Sequence, residues 1–199
     1  EKNFAAGADI TDMVEGNPEF ARFFAFKDTF NKVADLEKPT IAAVAGYALG
    51  AGTELALACD FRIAKANTRF GLPEIGIGIM PGAGGTQRLP RLIGLARAKE
   101  MIMLGGMVDA AAALSYGLVN KVVEEEVVAE AMKLAAKLAK LPPIALRNAK
   151  QVINQGQSME LKMGIDLEAI AWASLFATED QKEGMRAFVG KRKPEFKGR

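Results

Sequence analysis

The chain has 199 residues, half of them apolar and a quarter charged, with a formal net charge of +2. That length carries one α/β core with a helical appendage or one larger domain, and the charge is too small to draw the whole chain to nucleic acid or a membrane. With no histidine and a single cysteine, Cys59, the sequence excludes Ser-His-Asp and Cys-His catalysis, histidine-ligated metals, an internal disulfide and paired-cysteine zinc motifs. Proton transfer therefore falls to carboxylates, Lys, Tyr or Cys. No apolar run approaches the ~20 residues that span a bilayer, and the first residues lack a signal-peptide pattern. Together with the lone cysteine, this points to a reducing compartment.

In chain order, Phe4-Ala5-Ala6-Gly7-Ala8-Asp9-Ile10 comes first, a segment whose small side chains leave backbone N–H groups accessible. Asn17-Pro18 reads as an N-cap with proline at N1, opening a helix to about Leu36 that carries Phe20, Phe23, Phe24, Phe26, Phe30 and Val33 at helical spacing. A core-facing stripe is the simplest account of those rings. Residues 40–45 form a short buried strand leading into the Gly46 turn. A helix starts near Ala51, a strand follows at 61–64, and Glu74 sits in a loop.

Farther on, residues 82–86 open a helix through Arg88, and another runs from Ala96 to Leu104. Asp109 caps a helix to Tyr116 that Gly117 ends, and residues 118–123 are the last strand. From there the pattern is helical, with Val127, Ala131, Leu134, Leu138 and Leu141 on one buried face. Pro142-Pro143 breaks the run; helices near 143–155 and 158–177 follow, then a capping box at 178–181. The composition shift near Glu124 divides an α/β core, 1–124, from a helical region, 125–199.

The stretch from Gly46 to Arg88 concentrates the chemistry. Glu54 falls in the first turn of its helix, after Gly50-Ala51-Gly52, while Glu74 follows Pro73 and precedes Ile75, Ile77 and Ile79. A carboxyl among isoleucines loses hydration, which raises its pKa, so two such groups in unlike settings can serve as proton donor and acceptor. Each also has a plain account: glutamate is favoured in the first turn of a helix, and Glu74 fits a solvated loop. Nucleotide-binding loops fail the spacing test, since the third glycine of G-x-G-x-x-G falls on Leu55, Pro81 and Gln87 and no P-loop pattern is present. Cys59 and Asp60 read as structural. The last eighteen residues hold seven basic and two acidic side chains, a pattern that by default is a solvated tail.

Three segments, FAAGADI, GYALGAGTELALACD and FGLPEIGIGIMPGAGGTQRL, together with FATEDQKEGMRAFVGKRKPEF near the end, resemble the crotonase superfamily and within it the enoyl-CoA hydratases. The resemblance spans the chain. It implies an α/β fold with a spiral core of ββα turns and a helical C-terminal trimerisation region. It also implies that strands of the family fold precede Glu1, so that the chain reads as N-terminally truncated. The site it implies has Glu54 and Glu74 as the catalytic pair and the N–H groups of Ala8 and Ala51 as an oxyanion hole. Gly82 would contact the reacting water, and Ala6, Asp9 and Ile10 would line the substrate site. Phe188 and Lys191 would reach the coenzyme A of a neighbouring subunit, and some of the Phe20–Phe30 rings would line an acyl pocket.

Where many hydratases have three glycines before the helix, this chain has Gly50-Ala51-Gly52, which is unstrained only if φ at Ala51 is negative. The implied substrate is an acyl-CoA thioester, with no metal or redox cofactor. The implied assembly is a homotrimer or dimer of trimers, without nucleic acid or membrane, in the bacterial cytoplasm or, in a eukaryote, the mitochondrial matrix. An enoyl-CoA isomerase and a non-catalytic RNA-binding relative are the alternatives.

Overall fold

The computed structural model describes residues 2–199. Glu1 and the side chain of Phe24 lie outside the described residues. Asn17 caps the first helix by accepting from the Phe20 N–H, with Pro18 at N1, but the aromatic segment is two helices, α1 (Pro18–Phe24) and α2 (Lys27–Ala34). Ala25, extended at ψ 117°, breaks the run. A core stripe for most of the rings does not survive this break. Phe30 is buried, Phe23 is 85% exposed, and Phe20 and Phe26 face a cavity described below.

Next come β1 (Ile41–Val44), β2 (Tyr47–Leu49) and α3 (Ala51–Ala58). A second pass gives β3 (Phe61–Lys65), β4 (Arg69–Gly71), a 3-10 turn (Pro73–Ile77) and α4 (Gly85–Ile93). Two successive ββα turns are thus laid one on the other. β1 pairs in parallel with β3, Ile41 opposite Phe61, and β2 pairs in parallel with β4, Tyr47 opposite Arg69. Parallel strands covered on both faces need near-continuous apolar runs, and Val44, Ala48, Ala64 and Phe70 are wholly buried. A bridge from Ala5 to Ala48 lays the N-terminal segment beside β2.

The chain continues through α5 (Leu95–Met103), β5 (Met107–Asp109), α6 (Ala110–Ser115) and β6 (Lys121–Val123). Asp109 caps α6 by accepting from the Ala112 N–H. β6 adds in parallel to β3 and β5 antiparallel to β4, completing two three-stranded sheets, β1-β3-β6 and β2-β4-β5. Strands β2, β4 and β5 are three residues each, too short to register as alternating patterns in sequence.

The helices that follow are α7 (Val127–Leu138), α8 (Pro143–Gly156), α9 (Leu161–Leu175) and α10 (Glu179–Val189). The expected buried face of α7 holds at Val127 and Ala131, weakens at Leu134 and Leu138, and is lost at Leu141, which is exposed. Thr178 accepts from the Gln181 N–H, but the Gln181 amide donates to the Met185 sulfur, so only half of the capping box forms. By contact the chain divides into Glu1–Ala34 with Thr40–Met132, and Asp35–Pro39 with Lys133–Arg199. The second unit closes on its own C-terminus, where Asp180 accepts from the N–H groups of Lys197 and Gly198. No helix among the described residues is long and apolar enough to cross a membrane.

Candidate active site

Where β2 ends, Gly50 takes φ 54° and ψ −124°, a conformation that L side chains avoid. A methyl there would stand 3.3 Å from Glu74 Oε1. The turn delivers Ala51 as the first residue of α3. Its φ is not positive, since Glu126 and Lys191 are the residues other than glycine with that conformation among those described. The departure from three glycines is therefore unstrained, because the residues that need to be glycine are Gly50, for its positive φ, and Gly52, where a methyl would overlap the Ala5 carbonyl. At the first turn of α3 the N–H groups have no intrahelical acceptor. Among the described residues neither the Ala8 nor the Ala51 N–H donates to protein.

A half-open cavity of about 690 Å³, lined by residues of the first unit, gathers most of the expected residues. Ala6, Ala8, Ile10, Ala51, Gly82, Glu54 and Glu74 all line it. So do Phe20, Phe26, Ile77, Ile79 and Met80, which make the rest of its wall predominantly apolar. Asp9 stands apart. It is exposed, and its Oδ1 accepts from the N–H and hydroxyl of Thr11 at 2.9 and 2.7 Å, bonds that hold its pKa below the usual value. It shapes the turn after Ala8 instead of lining the cavity.

The two glutamates sit in unlike settings. Glu54 is 3% exposed, and its Oε1 accepts from the N–H groups of Ala83 and Gly85, both at 2.8 Å. A buried carboxylate needs such partners, and here the glycine-rich loop supplies one from Ala83 and the first residue of α4, Gly85, the other. Glu74 is half-buried on the 3-10 turn, and its Oε2 is enclosed with no hydrogen-bond partner. Desolvation raises its pKa above the ordinary carboxyl value, against a smaller lowering by its own backbone N–H, and the nearby Glu54 charge adds a lesser rise. The neighbouring isoleucines are themselves 41 to 55% exposed, and Ile77 and Ile79 line the cavity beside it.

Ala83 and Gly85 were not legible as partners of Glu54. The available signal was that a glutamate in an apolar helix requires donors and that a cluster of glycines is a source of accessible N–H groups. Phe188 and Lys191 belong to the second unit. Phe188 is 85% exposed on α10. Lys191 follows that helix at φ 51°, where the Lys191 N–H donates to Phe188 O and the Arg192 N–H to Ala187 O. That pair of bonds closes a helix C-terminus in a position usually given to glycine.

Comparison with known proteins agrees with this architecture. The family model described as enoyl-CoA hydratase/isomerase matches residues 1–199. The short-chain-enoyl-CoA hydratase of Clostridium acetobutylicum is 48% identical over 203 residues, covering 100% of this chain and 78% of that protein. The crotonyl-CoA hydratase of Syntrophomonas wolfei is 46% identical, covering 98% and 76%. The crystal structure of an enoyl-CoA hydratase from Bacillus anthracis superposes with a TM-score of 0.95 at 46% identity, covering 100% of this chain and 78% of that one. With a spiral of paired ββα turns, two glutamates in one apolar cavity and relatives at this level of identity, the chain belongs to the enoyl-CoA hydratase/isomerase family, the crotonase superfamily.

Proposed function

We propose that the protein is an enoyl-CoA hydratase, adding water across the trans-2 double bond of an enoyl-CoA thioester to give a 3-hydroxyacyl-CoA in fatty-acid or related acyl-CoA metabolism. The observation that carries this reading is the presence of both Glu54 and Glu74 on one cavity, the first anchored by two amides and the second desolvated with its pKa raised. Hydration needs both a proton acceptor and a proton donor. The family's isomerases need the polarised carbonyl but not both carboxylates.

In this mechanism the thioester oxygen accepts from the N–H groups of Ala8 and Ala51, which have no protein acceptor among the described residues. Oxyanion donors of this kind are worth roughly 10² to 10³ in rate apiece. Glu54, held through Oε1, orients a water near Gly82 and takes its proton as the oxygen attacks C3. The π electrons move onto C2 and the thioester carbonyl as an enolate, and Glu74 delivers its proton to C2. The raised pKa of Glu74 suits it to hold that proton beforehand. The chemistry calls on no metal or redox cofactor, and coenzyme A enters as part of the substrate.

The apolar cavity wall from Phe20 and Phe26 to Met80 fits an acyl chain. The exposed Phe188 ring and Lys191 ammonium are suited to the adenine and phosphates of coenzyme A on a neighbouring subunit. Assembly as a homotrimer or dimer of trimers is supported by α9, which has no buried residue although it carries Leu161, Ile165, Ile170 and Trp172. A cytoplasmic setting agrees with the bacterial relatives.

The test is hydration of crotonyl-CoA, followed as loss of enoyl-thioester absorbance. Glu54→Gln and Glu74→Gln should each lower kcat by about 100-fold or more while leaving the far-ultraviolet circular dichroism unchanged. Near-normal turnover in either variant refutes the pair.

A further inference from the structure

Among the described residues Glu54 takes its hydrogen bonds from main chain alone, so its placement depends on what holds the loop and the start of α4 that donate to it. Within that loop Ala83 is gripped at both of its peptide groups. Its N–H donates to Glu54 Oε1, and its C=O accepts from Arg88 Nη1 at 3.0 Å. The other arm of the same guanidinium, Nη2, donates to Asn31 Oδ1 at 2.7 Å. Asn31 lies on α2, which starts directly after Phe26, and the Phe26 ring both lines the cavity and stacks on Phe30 with centroids 5.6 Å apart. Gly84, the N-cap of α4, sits at φ 114°, and a methyl there would overlap the guanidinium. The loop is thus folded tightly around Arg88.

We propose that Arg88 is a positioning residue for Glu54, acting through Ala83, and that Asn31 fixes the guanidinium and so ties the Glu54 anchor to the α2 wall of the cavity. A planar fork is needed, because one side chain must serve two acceptors in different directions, and a lysine ammonium does not reproduce that geometry. Loosening the clasp lets the Ala83 and Gly85 amides drift and with them the carboxylate. The kinetic consequence rests on the hydratase reading, whereas the structural consequence does not.

Two measurements on the protein therefore test it. In amide hydrogen exchange without substrate, Arg88→Met should speed exchange in the segment 82–86 by about tenfold or more. Asn31→Ala and Arg88→Lys should give smaller increases, and β1 and β3 should stay unchanged. In crotonyl-CoA hydration, Arg88→Met should lower kcat by about 10- to 100-fold with KM within about threefold, and Arg88→Lys should recover part of the loss. The loss should vanish in a Glu54→Gln background, because residues acting as one unit are non-additive. Unchanged exchange at 82–86, or the same fractional loss in both backgrounds, overturns the proposal. If Arg88→Met does not fold, Asn31→Ala and Arg88→Lys carry the same comparison. A protein that hydrates no enoyl-CoA sinks the hydratase reading alone, and the exchange rates still decide the role of Arg88.

Discussion

Glu74 keeps an enclosed, unpartnered Oε2, an arrangement that taxes its ionised form. Its folded pKa is raised, with desolvation as the leading cause, and the unfolded chain holds the ordinary carboxyl value of 4.5. The native state therefore binds the proton more tightly than the unfolded one. That advantage is fully present below the unfolded value and is lost as pH rises through the folded value. Glutamine at this position cannot ionise, so Glu74→Gln should gain stability relative to the parent as pH rises from about 4 to about 8, read from urea midpoints at each pH. A difference, variant minus parent, that stays constant or falls with rising pH contradicts the enclosure. The direction of this shift was legible from a carboxyl flanked by isoleucines. The anchoring of Glu54 was not, because its donors lie 29 and 31 residues away and only the return of α4 beside α3 brings them close.

Elements were legible where a cap or a long apolar run marked them. Asn17-Pro18, Asp109 and Thr178 each accept the expected amide, and β1, α3 and β3 fall where the apolar runs put them. What escaped was β2, β4 and β5, and the break at Ala25. Three-residue strands are fixed by their neighbours in the spiral, and an alanine gives no local sign of extension. The joins between elements rest on polar groups the sequence did not flag. Arg62 on β3 is buried, and burial lowers its pKa. Its Nε donates to Leu118 O at 2.7 Å and its Nη1 to Cys59 O at 2.6 Å, tying β3 to the end of α3 and to the segment before β6. Replacing it by methionine keeps the volume but strands those carbonyls, at roughly 1 to 3 kcal/mol each. Arg62→Met should therefore lower the unfolding free energy by about 3 kcal/mol, measured by urea titration. A loss under about 1 kcal/mol shows that water replaces the guanidinium.

At the scale of the whole molecule, the two units differ in how far they satisfy themselves. The first buries a contiguous apolar cluster from Ala42 through Val119. In the second, α9 buries none of its fifteen residues, and among them Leu161 is 76%, Ile170 70% and Trp172 62% exposed. Apolar faces of this extent mark contact surfaces, and a second copy of the chain is the partner the proposed assembly supplies. The protein has one tryptophan, Trp172, placed edge-on to Phe176 at 4.6 Å, so its fluorescence reports this face without competition. If copies meet there, dilution should red-shift the emission as the indole becomes wet, in step with a fall in mass by light scattering. Ile170→Glu should give a red-shifted, lower-mass species at all concentrations, since a charge on that face costs more to bury than the contact returns. Emission that is already red and independent of concentration while the protein stays oligomeric would place the contact on another surface.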